Sequence, residues 1–202
     1  SLYIIIYLLN IMLKWLLQIL PGICFTIADV TELNDLIVSK NIHEFSIYAY
    51  LIFFFTNLAG FIYTNKLYDI KSFAAWIIPA FIEMVMMLVC IWRRARSIFN
   101  QAIIGCILFV ISYFYIIYTI KLPTKQFGII PSILAPIGEI AQLYKIYYNK
   151  GCHGVSKTSW LLQCLGNIGL FVLIDTSSIE NYFISIIPAI LNSLIVFSCL
   201  QL

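Results

Sequence analysis

The chain has 202 residues, of which 62% are apolar and only 10% charged, with a formal net charge of +3 and a mean hydropathy of +0.99. Soluble domains carry roughly a quarter charged residues, so this composition excludes a soluble globular protein and indicates a polytopic all-α membrane protein. The surplus of +3 calls for no nucleic acid, because basic residues at the ends of membrane spans account for it.

A helix needs about 20 apolar residues to cross the hydrocarbon core. In chain order, one such window lies within 3–38, and six more run over 46–64, 73–92, 103–120, 127–148, 158–174 and 182–202. The first stretch is too long for one ordinary span and contains Lys14, Pro21 and Asp29. Its boundary comes from an internal repeat. At an offset of 110 residues, HEFSIYAYLIFFFTNLAGF (43–61) falls over HGVSKTSWLLQCLGNIGLF (153–171), pairing His43 with His153, Ser46 with Ser156 and Asn57 with Asn167. The same offset pairs Asp29 with Glu139, and a one-residue slip aligns IIPAFIE (77–83) with IIPAILN (186–192). The span at 127–148 therefore maps back to 17–38. Residues 1–16 become an extension, either an interfacial helix or the lengthened top of the first span. They show no small-residue cleavage site of the kind that marks a removed signal peptide.

This register predicts seven transmembrane helices in a 3+1+3 order: a three-helix repeat over 17–97, a linker helix over 98–122 and a second repeat over 123–202. The odd number of spans gives both halves the same orientation, so they are parallel repeats about an axis along the membrane normal. The loops on one side hold Lys40, Arg93, Arg94, Arg96, Lys145, Lys150 and Lys157, against Lys14, Lys66, Lys71, Lys121 and Lys125 on the other. The RRAR cluster at 93–96 places the first side in the cytosol and the N-terminus outside or in a lumen.

Polar groups within the spans are the candidate functional residues, because ionisable side chains at membrane depth are costly and face a bundle interior or an aqueous cavity. Glu83 lies about eleven positions into its apolar run, and its repeat mate Asn192 falls at a similar depth. Across the repeat axis the two would face each other as a substrate site, or Glu83 would serve as interhelical glue. Asn57 and Asn167 form a second pair, suited to sugar hydroxyls and to interhelical hydrogen bonds alike. Asp29 with Glu32, and Glu139 with Gln142, have the i, i+3 spacing of one helix face. Asp29 and Glu139 are either proton-coupling carboxylates or groups that snorkel to the cytosolic edge, where Glu32 is expected. Pro79, Pro136 and Pro188 interrupt spans and are candidate hinges.

The rest of the chain argues against other chemistry. No nucleotide loop, HExxH or serine elbow is present, so no enzyme activity and no cofactor are expected. The six cysteines show neither CxxC nor paired metal spacing, so neither a metal site nor a disulfide framework is implied. The run Phe53, Phe54 and Phe55 is expected as lipid-facing or packing surface. In GCHGVSKTSW (151–160), Gly154 lets the chain turn and Ser156 is placed to cap the next helix, as Ser46 is in the first repeat.

IAQLYKIYYNKGCHGVS (140–156), followed by an apolar helix, resembles the PQ-loop signature, with Ala141 where the proline is expected and Gln142 keeping the glutamine. The first repeat departs further, with Thr31 and Glu32 at that pair. With the 3+1+3 order, the chain resembles the PQ-loop and SWEET superfamily over nearly its whole length. SWEET sugar uniporters carry Pro-Asn near the start of the third and seventh helices, where this chain has Pro79-Ala80 and Pro188-Ala189. Glu83, Leu191-Asn192-Ser193-Leu194-Ile195, LKWLL (13–17) and GCHGVS are more similar to mannose-P-dolichol utilization defect proteins. That resemblance implies a protein of the endoplasmic reticulum membrane that supports the use of dolichol-linked mannose and glucose in glycosylation, either as an accessory protein or itself as a carrier, with a sugar or lipid-linked sugar as ligand. The superfamily also implies two alternatives: a SWEET-type facilitative sugar transporter, for example in the plasma membrane, and a proton-coupled exporter of small solutes such as amino acids. The lipid bilayer is a partner of any such chain, and the sequence leaves room for a homo-oligomer.

Overall fold

The computed structural model describes residues 2–38, 47–64, 70–119, 127–149, 152, 156–174 and 179–201, and all regular structure among them is helical. Seven helices follow in order. Helix α1 is Leu2–Val38 and α2 is Ile47–Thr64. Helix α3 runs through Ile70–Ser72, Phe73–Ile77 and Ile78–Arg94. A 3-10 turn at Arg96–Ile98 leads into α4, Phe99–Thr119, and α5 is Ile129–Asn149. Helix α6 is Lys157–Ile174, and α7 runs through Ile179–Asn181, Tyr182–Ile186 and Ile187–Gln201.

Six of these helices are long and apolar enough to cross a membrane, and the chain is an integral membrane protein. Helix α6, expected as a span, is present with 18 residues, and its Gln163 and Asn167 turn inward to a central cavity rather than toward lipid. Helix α1 is one uninterrupted helix of 37 residues, about 55 Å at 1.5 Å per residue, against a hydrocarbon core of about 30 Å. Of the two forms open to residues 1–16, the described ones take the second, a continuation of the first helix. Its side chains from Ile6 to Leu16 include a run of large apolar groups about half exposed.

Helix α3 packs against both α1 and α2, and α7 packs against both α5 and α6. In each set the third helix is thus wedged between the first two. The sets meet along two seams, α1 with α6 and α2 with α5. Small residues allow the close approach: Gly166 of α6 receives the ring of Phe25, and Gly138 of α5 receives the ring of Phe53. Helix α4 packs on α3 and on the outer face of α2, where the Tyr113 hydroxyl donates to the Leu58 carbonyl at 2.6 Å and Phe109 meets Phe54 and Phe55. Much of its remaining surface is exposed and apolar, as a lipid-facing helix requires.

Two five-residue π-helical segments, Phe73–Ile77 and Tyr182–Ile186, are each separated from a proline by a single isoleucine, Ile78 before Pro79 and Ile187 before Pro188. In each case the amide of Ile78 or Ile187 reaches back five residues, to the carbonyl of Phe73 or Tyr182. A proline removes one helical donor and crowds the carbonyl four positions back, and the wider turn displaces that carbonyl without breaking the helix. The two wide turns occupy matching places in α3 and α7.

The ends are tied together. At one end the Lys71 ammonium donates to Gln18 Oε1 at 2.6 Å, joining α3 to α1. At the other, Arg93 Nη1 donates to the Leu36 carbonyl at 2.7 Å. Cys152 and Cys199 form a disulfide with their Cα atoms 5.5 Å apart, clasping the segment before α6 to the end of α7. The expectation of no disulfide is corrected here, because partners 47 residues apart come together only through the tertiary fold. The amide of Ser159 donates to Ser156 Oγ at 3.3 Å, so Ser156 caps α6 as expected. His43, Ser46, His153 and Gly154 lie outside the described residues.

Candidate functional site

Every helix except α4 contributes to a central cavity of about 50 Å³. Asp29 and Phe25 come from α1, Phe53, Thr56 and Asn57 from α2, and Trp76, Pro79 and Glu83 from α3. The other set supplies Ala135 and Glu139 from α5, Gln163, Asn167 and Leu170 from α6, and Ile184 and Pro188 from α7. Such a volume holds on the order of three waters, whereas small-molecule sites measure roughly 300–1,000 Å³.

Each set brings three polar side chains to one depth. In the first, Asn57 Nδ2 donates to Glu83 Oε2 at 2.9 Å, and Asp29 stands beside them on α1. In the second, the Asn192 amide is assigned the orientation in which both of its ends find partners: its nitrogen then donates to Glu139 Oε1 at 3.1 Å and Oε2 at 3.3 Å, and its oxygen accepts from Asn167 Nδ2 at 3.0 Å. The sets differ at one chemical point. Where α7 carries an amide, α3 carries a carboxylic acid.

All of these groups are shielded. Asp29, Glu83 and Glu139 are 4%, 6% and 3% exposed, and Asn192 is fully buried. Asp29 Oδ2 and Trp76 Nε1 are buried without a hydrogen-bond partner among the described residues, an acceptor and a donor on two cavity-lining side chains. Among the described residues, the lining holds three carboxyl groups and no lysine, arginine or histidine. It therefore suits a neutral hydroxylated or a cationic guest and repels an anionic one.

The structure brings together Asp29, Asn57, Glu83, Glu139 and Asn167 around this space, while Asn192 lies behind its wall. Glu83 and Asn192, expected to face each other, turn instead to partners within their own sets. Asp29 and Glu139 point into the bundle and do not snorkel to its edge. Glu32 and Gln142, one turn further along, are outside the lining, and Glu32 Oε1 accepts a hydrogen bond from the Tyr50 hydroxyl at 3.2 Å. Pro79 and Pro188 line the cavity beside the wide turns, whereas Pro136 sits half-buried within α5 and away from it.

Several lining residues escaped the sequence argument. Phe53, expected as lipid-facing or packing surface, lines the cavity, with Phe54 buried in the core and only Phe55 turned outward. Gln163, a polar residue within an apolar run, carried a usable signal. Phe25 and Trp76 carried none, since aromatic residues line spans on every face.

A second space of about 440 Å³ lies between α2, α4 and α5 and is lined by Phe55, Ile62, Phe109, Ile116, Phe127 and other apolar side chains. The chain matches no protein-family model, no curated protein and no solved structure.

Proposed function

We propose that the chain is a PQ-loop membrane carrier most like the mannose-P-dolichol utilization defect proteins, built as two parallel three-helix repeats joined by α4. The reading is carried by one observation: a small cavity at the centre of the helices, lined from both sets by residues at repeat-related positions that include acids and amides. In alternating access, two pseudo-symmetric halves rock about a central site. Here Phe25 against Gly166 and Phe53 against Gly138 join the two sets beside the cavity, and the wide turns before Pro79 and Pro188 are the points at which α3 and α7 can bend.

The acidic lining narrows the guest. A free sugar meets amide and carboxyl groups suited to its hydroxyls, whereas the phosphate of a dolichol-linked sugar would meet three carboxyl groups and no base. A lipid-linked sugar would therefore offer its sugar to the cavity and keep its phosphate outside, with the lipid chain beside the apolar face of α2, α4 and α5.

Two experiments test the proposal. Purified protein in proteoliposomes should release preloaded mannose or glucose faster than empty vesicles, and the rate should fall when Asn57 and Asn167 are both replaced by leucine. Vesicles that retain both sugars would overturn the carrier reading. Expression in cells deficient in dolichol-phosphate-mannose utilization should restore full-length glycans, and truncated glycans in cells whose membranes contain the protein would overturn the branch assignment.

A further inference from the structure

We propose that the first half of the cavity is a binding site for one monovalent cation, held between Asp29 and Glu83. The inference rests on the cavity alone and stands whether or not a sugar crosses.

The second set of helices shows how the arrangement is satisfied without a cation. There the Asn192 amide supplies hydrogen to both oxygens of Glu139. The corresponding position in the first set is Glu83, which as a carboxylate has no hydrogen to give. Asn57 donates to it, and Asp29 Oδ2 is left buried, lining the cavity and without a partner among the described residues. The two acids line the same small cavity, 4% and 6% exposed. Two ionised carboxylates in a low-dielectric site repel each other strongly, and each buried charge needs compensation.

Among the described residues lining the cavity, no other group provides it. From α1, Glu32 adds a further acid that accepts from Tyr50 of α2. Helix α5 presents Glu139, already held by Asn192, and α6 presents the neutral Gln163 and Asn167. Arg93 of α3 lies at the helix end, on the Leu36 carbonyl. A cation between Asp29 and Glu83 does in the first half what the Asn192 amide does in the second. The volume of about 50 Å³ admits a sodium ion with a few waters, or a hydrated proton shared by the acids.

The test is the melting temperature of the purified full-length protein from pH 5 to 8.5, in NaCl or in choline chloride at equal ionic strength, for the parent and for Glu83→Gln and Asp29→Asn. Glu83→Gln rebuilds in the first half the acid-amide pair already present in the second, so it should fold. If the cation is sodium, the parent is stabilised saturably by NaCl and not by choline, and the sodium midpoint rises about tenfold for each unit of falling pH, as one proton competes for one site. If the cation is the proton, sodium has no effect and the melting temperature climbs as pH falls, because the folded state then binds a proton that the unfolded chain releases. In either case both substitutions abolish or flatten the response. A parent with neither response, or responses that persist unchanged in Glu83→Gln and Asp29→Asn, would overturn the site and leave Glu83 as a structural hydrogen-bond partner of Asn57.

Discussion

Replacing Gly166 by alanine tests whether the seam between α1 and α6 is closed as tightly as the structure shows. The new Cβ would stand 2.5, 2.8 and 3.1 Å from Cε1, Cδ1 and Cζ of Phe25. Carbon atoms pack best at about 3.5–4.0 Å, so the ring or the helix must retreat by about 1 Å. Overpacking of this kind costs about 1–3 kcal/mol. For a chain of this size that corresponds to a fall in melting temperature of about 2–12 °C. The cost falls on the closed state, since opening the seam removes the clash. Labelling of Ala135→Cys, on the opposite wall, by a hydrophilic maleimide should accordingly rise about 5- to 150-fold, the same energy expressed as a population ratio. Adding Phe25→Leu removes the ring edge and should restore both readouts, which a general loss of helix stability would not allow. A Gly166→Ala protein that melts with the parent and remains protected would refute the closed seam.

Three further outcomes follow from the hydrogen bonds. Glu83→Leu leaves Asn57 without its acceptor and should lower the melting temperature by only about 1–3 °C, since such bonds are worth about 0.6 kcal/mol on average; sugar efflux should fall at least about tenfold, and efflux equal to the parent's would show that Glu83 is only glue. Asn192→Leu strips partners from both Glu139 and Asn167, so by thermal melting it should be the more destabilising of the two. Ser156→Ala removes the cap of α6 at a cost of about 1 kcal/mol, visible as a melting shift of about 2–4 °C.

The sequence was informative where polar residues break an apolar background. The pairs Asp29 with Glu139, Asn57 with Asn167 and Glu83 with Asn192 stood out because each is costly in hydrocarbon, and all six lie at or directly behind the cavity. What the pattern lacked was rotation about the helix axis. Asp29 and Glu32 share a face by spacing, yet only Asp29 reaches the cavity, because one helical turn displaces Glu32 toward the end of the bundle and onto Tyr50. Phe53, Phe54 and Phe55 are chemically identical, and the turn of about 100° between neighbours sends them to cavity, core and outer surface. Partner choice was equally hidden. Depth placed Glu83 level with Asn192, but the wedging of α3 between α1 and α2, and of α7 between α5 and α6, gives each a neighbour in its own set first.

The orientation of the chain turns on two physical signals that conflict. Arg93, Arg94, Arg96 and Lys157 gather at the end of the bundle where α3 and α6 meet the aqueous phase, and such an excess faces the cytosol. The Cys152–Cys199 disulfide belongs to the same end, and disulfides persist in oxidising compartments. Charge acts first, during insertion, before the fold has brought positions 152 and 199 together, so it should decide the orientation. The pair would then be a neighbouring dithiol in cells and would close to the disulfide once the protein is removed from the reducing cytosol. In intact cells a membrane-permeant maleimide should therefore add to both Cys152 and Cys199 while an impermeant reagent adds to neither, and mass spectrometry of protein purified in air should show the two joined. If the bond is already present in cells lysed under acid quench, the basic end faces a lumen or the exterior, and the topology inferred from RRAR is inverted.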